Sequence, residues 1–480
     1  MLVKLILAFF ISGSFLINFN NLSYVSKTNN EEYKKILLII DEENSKDSST
    51  IKTKLKTKGF YNCSLIYSGN KNIFSIEVND IDRAKTVLDN LDFVEHYEED
   101  YILDFLDNDV GNNARTIPTD YASIINLQGA WNYTTGNSSV FVGVIDSGIN
   151  ASHPYLSGKV STSLSKTFIP NETISPLTDT WGHGTSVAGI ICSVPNSENS
   201  CIGVCQNIQL VSLKVKQSGS NTYASNVIAA IEYANDIKIP ILNISTSWKE
   251  NQISYNLSLK TAIQDYTGLV ICSAGNEAND MDEQVNLKYP AGYNLDNVIV
   301  VGGSNSVDQI WNTSNNEGSN HSDTYVDLFA PGVDIEVLQS RYQDFGSYTK
   351  IVNGTSFSAP MVAGVAALLK SYRPSLTTSQ IKDCIIYSVD KISVLNDKCE
   401  TGGRLNAYKA LSLAYHTHSY SYTNLNAIYH KKSCTGCHYY STEEHVWTST
   451  PGLLNNETEP NYIPGGYRCN ICGAVKNNIL

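Results

Sequence analysis

Three side chains that could form a hydrolytic site are widely spaced along the chain. Asp146 ends the apolar segment VFVGVID, His183 follows a glycine in WGHGTSVAG, and Ser356 opens an apolar run in NGTSFSAPMVAG. A serine hydroxyl becomes a nucleophile when a neutral imidazole accepts its proton and a carboxylate orients that imidazole. Alone, each residue has an ordinary explanation, as a turn cap, a polar helix residue or an N-cap. Together the three residue types predict nucleophilic catalysis.

The sequence around these residues alternates apolar strands with helical segments. Continuous apolar strands separated by helices predict an α/β fold, with a largely parallel sheet and helices on both faces. In such folds, ligand-binding side chains gather at the carboxyl ends of the strands, and Asp146 ends the first of them. The candidate strands are VFVGVID (140–146), IQLVSLKV (208–215), IPILNIS (239–245), GLVICSAG (268–275) and NVIVVGG (297–303).

Composition excludes one broad class of partner. The 480-residue chain has a formal net charge of -13, and 42% of its residues are hydrophobic, which is typical of globular domains. Its length predicts more than one domain. Because no block of Lys and Arg is present to follow a phosphate backbone, no nucleic-acid partner is expected.

The three motifs together resemble a known family. VIDSGI, HGTSVAGI and GTSFSAPMVAGVAALL, in the order Asp, His, Ser, are similar to the subtilisin-like serine proteases (subtilases) over about residues 116–412. The resemblance implies a subtilisin-like fold and an endopeptidase that works through an acyl-enzyme. Ser356 would attack, His183 would act as base and then acid, and Asp146 would orient it. CSAGNEA (272–278) resembles the oxyanion segment and implies Asn276 as a donor. An inactive binding scaffold is the alternative, and the presence of all four residues argues against it.

The same resemblance implies where a substrate binds. NISTS (243–247) is similar to the strand that pairs with an extended peptide, and SAG (273–275) to the opposite wall of the first specificity pocket. Pairing through the backbone accepts many sequences, as an endopeptidase requires. The implied substrate-binding residues are Ser245, Thr246, Ser247, Ser273, Ala274 and Gly275.

Lys288, in LKYPAG, departs from the usual pattern. The family often has a small residue at this position, on the floor of the pocket, so Lys288 joins the candidate substrate-binding residues. An ammonium inside the pocket would favour acidic residues next to the cleaved bond. The alternative is a surface lysine that extends away into solvent.

The N-terminus predicts export. Residues 1–20 combine Lys4 with a short apolar run, which is typical of a cleaved signal peptide, with a retained signal anchor as the alternative. No later stretch reaches about 18 apolar residues, so no stable membrane span is expected. Sequons such as Asn132-Tyr-Thr are consistent with a glycoprotein. The expected location is the secretory pathway, followed by secretion or a lysosome-like or surface compartment.

Residues 30–107 predict a small α/β sandwich that resembles the family's inhibitory propeptide. A large parallel sheet folds slowly, so a partner surface can assist its folding, and a protease made during export needs an inhibitor. The expected partners are therefore the chain's own propeptide and protein or peptide substrates, with cleavage within about 107–116. The predicted elements are strands over 34–41 and 72–78, helices over 48–58 and 80–91, and a final acidic strand from 94.

Eleven cysteines in an exported chain predict disulfides. By closeness in sequence, the expected pairs are Cys384 with Cys399, and Cys192 with Cys201 or Cys205.

The last segment, residues 413–480, forms a separate Cys- and His-rich module. Two Cys-x-x-Cys pairs about thirty residues apart are typical of tetrahedral zinc sites, which predicts a zinc-ribbon-like fold. The same thiols could instead form disulfides in an oxidising compartment. Catalysis itself needs no cofactor, and calcium stays undecided because Tyr155 stands where many relatives have a calcium-binding Asp. The candidate zinc ligands are Cys434, Cys437, Cys469 and Cys472, with His438 and His445 as alternative ligands.

Overall fold

The computed structural model describes most of the chain, with gaps. The predicted signal peptide (1–20) and the predicted cleavage region (about 107–116) lie outside the described residues. None of the helices in the described part is both long enough and apolar enough to cross a membrane. The described residues are 34–40, 47–103, 117–194, 201–246, 248–249, 257–313, 315–341, 343, 346–415, 420–426, 428–434, 440–444, 447–449, 466–469 and 475–477.

The N-terminal unit is a four-stranded antiparallel sheet with two helices. Its elements are β1 (Lys34–Ile40), α1 (Ser48–Thr57), β2 (Cys63–Ser68), β3 (Asn72–Val78), α2 (Ile81–Leu88), β4 (His96–Glu99) and β5 (Ile102–Leu103). The first four strands form the sheet, in the order β2-β3-β1-β4. Asp47 and Asp80 begin the two helices by accepting backbone N–H groups of the first turn. The sequence prediction missed β2, because this edge strand is only half-buried and its apolar signal is weak.

A nine-stranded sheet forms the centre of the next domain, and the predicted α/β fold class is confirmed. The strand order is β18-β19-β15-β14-β12-β10-β6-β8-β7, and every neighbouring pair is parallel except β18 with β19. The strands of the domain are β6 (Phe141–Asp146), β7 (Lys166–Thr167), β8 (Gln209–Lys214), β9 (Thr222–Tyr223), β10 (Ile241–Ile244), β11 (Trp248–Lys249), β12 (Leu269–Ser273), β13 (Lys288–Tyr289), β14 (Val298–Ser304), β15 (Leu328–Pro331), β16 (Ile335–Leu338), β17 (Thr349–Val352), β18 (Asp390–Lys391) and β19 (Gly403–Arg404).

Helices cover both faces of this sheet. Successive strand residues alternate between two apolar clusters, with Val144 in one and Ile145 in the other, so the central strands read as continuous apolar runs. Helices α4, α5, α8, α9 and α10 pack into the first cluster, and α6 and α7 pack into the second. The helices are α3 (Tyr121–Ile124), α4 (Leu127–Trp131), α5 (His183–Cys192), α6 (Ala224–Asp236), α7 (Leu257–Asp265), α8 (Thr355–Tyr372), α9 (Thr378–Ile386) and α10 (Ala407–Tyr415), with 3-10 turns at Pro154–Leu156, Gln284–Asn286, Ala291–Tyr293 and Ser393–Leu395.

The C-terminal segment contains two three-stranded antiparallel sheets. Cys434 and Cys469 end one strand in each sheet, whereas Cys437 and Cys472 lie outside the described residues, so the zinc site stays a prediction. The strands are β20 (Tyr420–Asn424), β21 (Tyr429–Cys434), β22 (Tyr440–Glu444), β23 (Trp447–Ser449), β24 (Gly466–Cys469) and β25 (Val475–Asn477).

The predicted disulfides are wrong for the described cysteines. Cys192, Cys201 and Cys205 are separate thiols, and within the described residues no disulfide joins Cys384 to Cys399. The first three sulfur atoms face different neighbours: Cys192 and Cys205 face backbone carbonyl oxygens, and Cys201 faces a serine hydroxyl. Burial raises the pKa of the Cys192 thiol to about 11, which keeps it protonated. Closeness in sequence was therefore a poor guide, because these thiols pack into the core separately.

Candidate active site

Asp146 and His183 meet where a strand ends and a helix begins. Asp146 is the last residue of β6 and is fully buried, and His183 is the first residue of α5. The imidazole Nδ1 lies 2.9 Å from Asp146 Oδ1 and 2.8 Å from Oδ2. A carboxylate in this position favours the tautomer with hydrogen on Nδ1, which leaves Nε2 as the basic nitrogen. Gly184 permits the close approach, because a Cβ there would lie 2.1 Å from the carbonyl oxygen of Gly148.

A second buried carboxylate, Asp179, links the segment after Asp146 to the segment around His183 through hydrogen bonds. Its Oδ1 accepts hydrogen bonds from the Ser147 hydroxyl (2.9 Å) and from the Gly182 N–H (2.7 Å). Its Oδ2 accepts from the backbone and hydroxyl of Thr185, at 2.9 and 2.7 Å. Burial raises the pKa of Asp179, and the hydrogen bonds oppose that rise. Asp179 therefore ties the turn after Asp146 to the first turn of α5. The sequence analysis missed this residue, because an Asp four positions before a His has no distinctive pattern.

Ser356 lies in the first turn of α8, and the residue that follows it, Phe357, contacts the imidazole. The ring centroid of His183 is 5.7 Å from that of Phe357, and the indole of Trp181 stacks on the imidazole with a centroid distance of 5.3 Å. The Ser356 hydroxyl donates to the carbonyl oxygen of Ser245 (3.1 Å), and the Ser245 hydroxyl donates to the carbonyl oxygen of Ser356 (2.9 Å). The fold thus brings together residues that are far apart in the sequence, at the carboxyl edge of the sheet.

Asn276 is held in one orientation by Thr355. Its Oδ1 accepts hydrogen bonds from the Thr355 N–H (3.0 Å) and from the Thr355 hydroxyl (2.7 Å). Because the carbonyl end of the amide is occupied, Nδ2 is the end that can donate to a substrate. The N-terminus of α8 lies beside it and contributes a positive dipole end. This pattern suits the stabilisation of a developing oxyanion. The sequence analysis did not assign Thr355 this role, because its partner lies 79 residues away.

The predicted substrate walls lie on two strand ends. Ser245 and Thr246 follow β10 and are buried, whereas Ser247 lies outside the described residues. On the other side, Ser273 and Ala274 are buried, and Gly275 has the positive φ of 105° that favours glycine. The two walls come from β10 and β12, which are parallel neighbours in the sheet.

Lys288 is not the surface lysine of the second alternative, and its role as a substrate-binding residue stays a prediction. Its side chain is only 7% exposed, so it is not a surface lysine that extends into solvent. Its ammonium lies 2.6 Å from Glu277 Oε1, so its charge is already paired. The sequence analysis missed Glu277, because nothing in the spacing indicates an ion pair between these two residues.

The N-terminal unit contacts the domain at α6 and α7. Buried Asp100 accepts hydrogen bonds from the backbone and hydroxyl of Ser225, at 2.9 and 2.7 Å, in the first turn of α6. Glu98 accepts from the Ser258 N–H in the first turn of α7, at 3.3 and 3.5 Å. Carboxylates at helix N-termini are stabilising. β5 then pairs antiparallel with β9, so the N-terminal unit adds a strand to the domain.

Within the described residues, no group of three or more His, Cys, Asp or Glu side chains is arranged to hold an ion. The cofactor expectations of the sequence analysis stay predictions. Tyr155 is buried, and its backbone N–H donates to Nδ1 of His153.

Comparison with known proteins matches this chain to one family and to several individual relatives. A sequence profile of the Subtilase family matches residues 137–411. The chain is 29% identical to a thermophilic serine proteinase of Bacillus sp. (strain AK1) over 352 residues, which are 70% of this chain and 77% of that protein. It is 33% identical to subtilisin DY of Bacillus licheniformis over 247 residues, or 51% of this chain and 82% of that protein. An intracellular serine protease of Paenibacillus polymyxa is 35% identical over 52% of this chain and 71% of its own length.

Solved structures with lower identity share the fold. The epidermin leader peptide processing serine protease (EpiP) of Staphylococcus aureus, as its S393A mutant, matches with a TM-score of 0.63 at 18% identity, covering 79% of this chain and all of that one. MycP1 without its N-terminal propeptide matches with a TM-score of 0.50 at 24% identity, covering 62% of this chain and 97% of that one. At these identities the likeness concerns the fold alone.

Proposed function

Because the chain belongs to the subtilase family, it is a serine-type endopeptidase, and we propose that it cleaves peptide bonds with Ser356, His183 and Asp146 after processing its own precursor. The observation that carries the proposal is the contact of Asp146 with His183 Nδ1 at 2.8–2.9 Å, beside the helix turn that presents Ser356. This arrangement supplies a nucleophile, a base and an orienting carboxylate in one place.

In the proposed reaction, Ser356 Oγ attacks the scissile carbonyl while His183 Nε2 takes the hydroxyl proton. Asp146 stabilises the resulting imidazolium. The oxyanion accepts hydrogen bonds from Asn276 Nδ2 and from the backbone N–H of Ser356. The tetrahedral intermediate then expels the amine, which takes the proton from His183. Water attacks the acyl-enzyme by the same route and releases Ser356.

We also propose that residues 30–107 act as an inhibitory propeptide. The contacts of Asp100 with α6 and of Glu98 with α7 support a specific docked state. The pairing of β5 with β9 supports docking of the end of this unit as an extended strand. Cleavage within about 107–116 would separate this unit from the domain that begins near residue 116.

Maturation of the full chain tests this proposal. Wild-type chain should lose its N-terminal unit, whereas Ser356→Ala should persist as the uncleaved precursor. Ser358→Ala is a matched control: Ser358 lies on the same helix, is also buried, and donates to the Pro331 carbonyl (3.0 Å), outside the proposed machinery. Intact-mass analysis measures all three. Unaided maturation of purified Ser356→Ala, or failure of Ser358→Ala to mature, would contradict the proposal.

Two peripheral proposals complete the account. Export through a signal peptide at 1–20 would deliver the enzyme to the secretory pathway, and amino-terminal sequencing of the exported protein tests this.

A zinc ion held by Cys434, Cys437, Cys469 and Cys472 would stabilise the C-terminal module. Metal analysis of the purified chain tests that, and four disulfide-bonded half-cystines without zinc would contradict it.

A further inference from the structure

A fully buried lysine lies beside the proposed catalytic carboxylate. Lys214 is the last residue of β8, and its side chain is completely shielded from solvent. β8 pairs in parallel with β6, and Lys214 is the register partner of Asp146. Because register partners in neighbouring strands point to the same face of a sheet, Lys214 lies on the face that Asp146 shares with α5. A charge buried this deeply is costly unless opposite charge is near.

The side chain of Lys214 runs alongside the turn that follows Asp146. A Cβ on Gly148, in that turn, would lie 3.3 Å from Lys214 Cδ. The ammonium Nζ donates to the carbonyl oxygen of Thr178, at 3.1 Å. Thr178 immediately precedes Asp179, the buried carboxylate that links the same turn to α5. Lys214 therefore lies between the turn after Asp146 and the loop that carries Asp179.

Two buried carboxylates need positive charge in this part of the site. Three backbone N–H groups and two hydroxyls donate to Asp179, which favours its ionised form. Burial raises the pKa of Asp179, and the charge of Asp146 raises it further, so the two carboxylates interact. Together their negative charges favour a protonated His183, in which Nε2 cannot accept the proton of Ser356.

Lys214 is well placed to supply that positive charge. Of the lysines and arginines in the described part of the chain, only Lys214 and Lys288 are buried, and Lys288 is paired with Glu277. Burial lowers the pKa of Lys214, whereas the nearby charges of Glu172 and Asp179 oppose that shift and favour the ammonium.

The remaining cations near the site are less buried or point elsewhere. Lys216 lies 5.7 Å from the centre of the Trp181 indole, which stacks on His183, but it is partly exposed, so solvent screens its charge. Lys166, on the neighbouring strand β7, is the register partner of Leu213 and therefore points to the opposite face of the sheet. The charged side chains that face Lys214 or His183 from neighbouring elements are Asp146, Glu172, Asp179 and Lys216.

We propose that Lys214 is a positioning residue whose ammonium balances the negative charges of Asp146 and Asp179, so that His183 is neutral and can act as a base near neutral pH. This inference rests on the proposed function. Without the ammonium, a proton stays on His183 or on Asp179 up to a higher pH. A proton on His183 removes the base, and a proton on Asp179 weakens the hydrogen bonds that join the turn to α5.

The charge of Lys214 can be separated from its structural contact. Lys214→Met removes the charge and keeps most of the side-chain volume. Ser212→Ala is the matched control, because Ser212 lies on the same face of β8 and its hydroxyl holds the same loop, through a 2.6 Å hydrogen bond to the Pro176 carbonyl oxygen. A double variant, Lys214→Met with Asp179→Asn, removes one charge of each sign.

The test is the pH dependence of kcat/KM from about pH 5 to about pH 9, with a blocked peptide that has no titratable side chain. Matured full-length chain is used, and a fluorophosphonate probe counts the active sites. In Lys214→Met the midpoint of the acidic limb should lie about one pH unit higher than in the wild type, which lowers kcat/KM below the limb about tenfold relative to its plateau. Ser212→Ala should lower the melting temperature and keep the wild-type midpoint. The double variant should return to within about 0.3 units of the wild type.

Several results would overturn the inference. A midpoint that moves by less than about 0.3 units in Lys214→Met would do so, and so would an equal shift in Ser212→Ala. If Lys214→Met yields too few active sites to measure, Asp179→Asn alone decides: losing one negative charge should move the midpoint about one unit lower, and an unchanged midpoint overturns the inference.

Failure of the proposed function would look different. If the wild type neither reacts with the probe nor cleaves the peptide, the proposed function fails and this inference fails with it. An active wild type whose acidic limb does not respond to these substitutions defeats the inference alone.

Discussion

The hydroxyl of Thr355 should support catalysis only through Asn276. Thr355→Val removes the 2.7 Å hydrogen bond to Asn276 Oδ1 and keeps both the side-chain shape and the 3.0 Å bond from the backbone N–H. A hydrogen bond of this kind contributes about 1 kcal/mol, and about 1.4 kcal/mol corresponds to a factor of ten. We therefore expect kcat to fall about fivefold, with KM nearly unchanged, because the amide is needed mainly in the transition state.

Stability gives a second, separate effect. Thr355→Val also removes the acceptor of the Gly275 N–H, at 3.2 Å, in a buried position. An unsatisfied buried donor costs about 1–3 kcal/mol in the free energy of unfolding, so the melting temperature should fall. Thr401→Val is the matched control, since Thr401 is buried and its hydroxyl donates to the Asp327 carbonyl (2.7 Å), away from the site. It should lose stability but keep kcat.

A double-mutant cycle with Asn276→Leu separates the two effects. Removing an oxyanion donor lowers kcat about 100- to 1000-fold. If Thr355 acts by orienting Asn276, its substitution should have almost no further effect on kcat in the Asn276→Leu background. Peptide hydrolysis at saturating substrate gives kcat for the wild type, both single variants and the double variant, normalised to the number of active sites that the probe labels. An equal fall in kcat in both backgrounds would refute the reasoning.

Three further predictions concern charge, pH and metal. Asp179→Asn should lower both kcat and the melting temperature, because an amide cannot accept all the hydrogen bonds that join Ser147 to α5; unchanged kcat would contradict this positioning role. Burial lowers the pKa of His153, whose Nδ1 accepts the Tyr155 N–H, so its neutral form stabilises the fold above about pH 6.5. That stability should be lost as the pH falls through the lowered pKa, and melting curves at pH 5 and pH 8 should differ less for His153→Asn than for the wild type; an equal difference would exclude His153. A chelator should remove the proposed C-terminal zinc and leave peptide hydrolysis intact, since the proposed catalytic steps use only protein side chains and water; parallel loss of both would contradict that separation.

The position of the site was predictable because the residues that form it lie at element boundaries. Asp146 ends a strand that is apolar on both faces, His183 begins a helix, and Ser356 lies in the first turn of another, so one parallel sheet can bring them to the same edge. The positions of strand ends and helix starts can be predicted from hydrophobic periodicity and turn residues within one short segment of sequence.

Side-chain contacts between segments that are distant in the sequence could not be predicted in the same way. The hydrogen bonds of Thr355 with Asn276 and the ion pair of Lys288 with Glu277 depend on packing between segments, which no local pattern reports. The disulfide prediction failed for the same reason, because spacing in the sequence says little about the direction in which a buried Sγ points. Strand β2 was missed because an edge strand buries too little apolar surface to show alternation.

Covalent labelling tests the central claim most directly. A fluorophosphonate probe should modify the mature wild-type enzyme once, and peptide mass spectrometry should place the label on Ser356. The labelling rate of His183→Ala should be lower by a factor of about 1000 or more, because the hydroxyl then lacks its base. A label on another residue, or equal labelling rates for wild type and His183→Ala, would contradict the account.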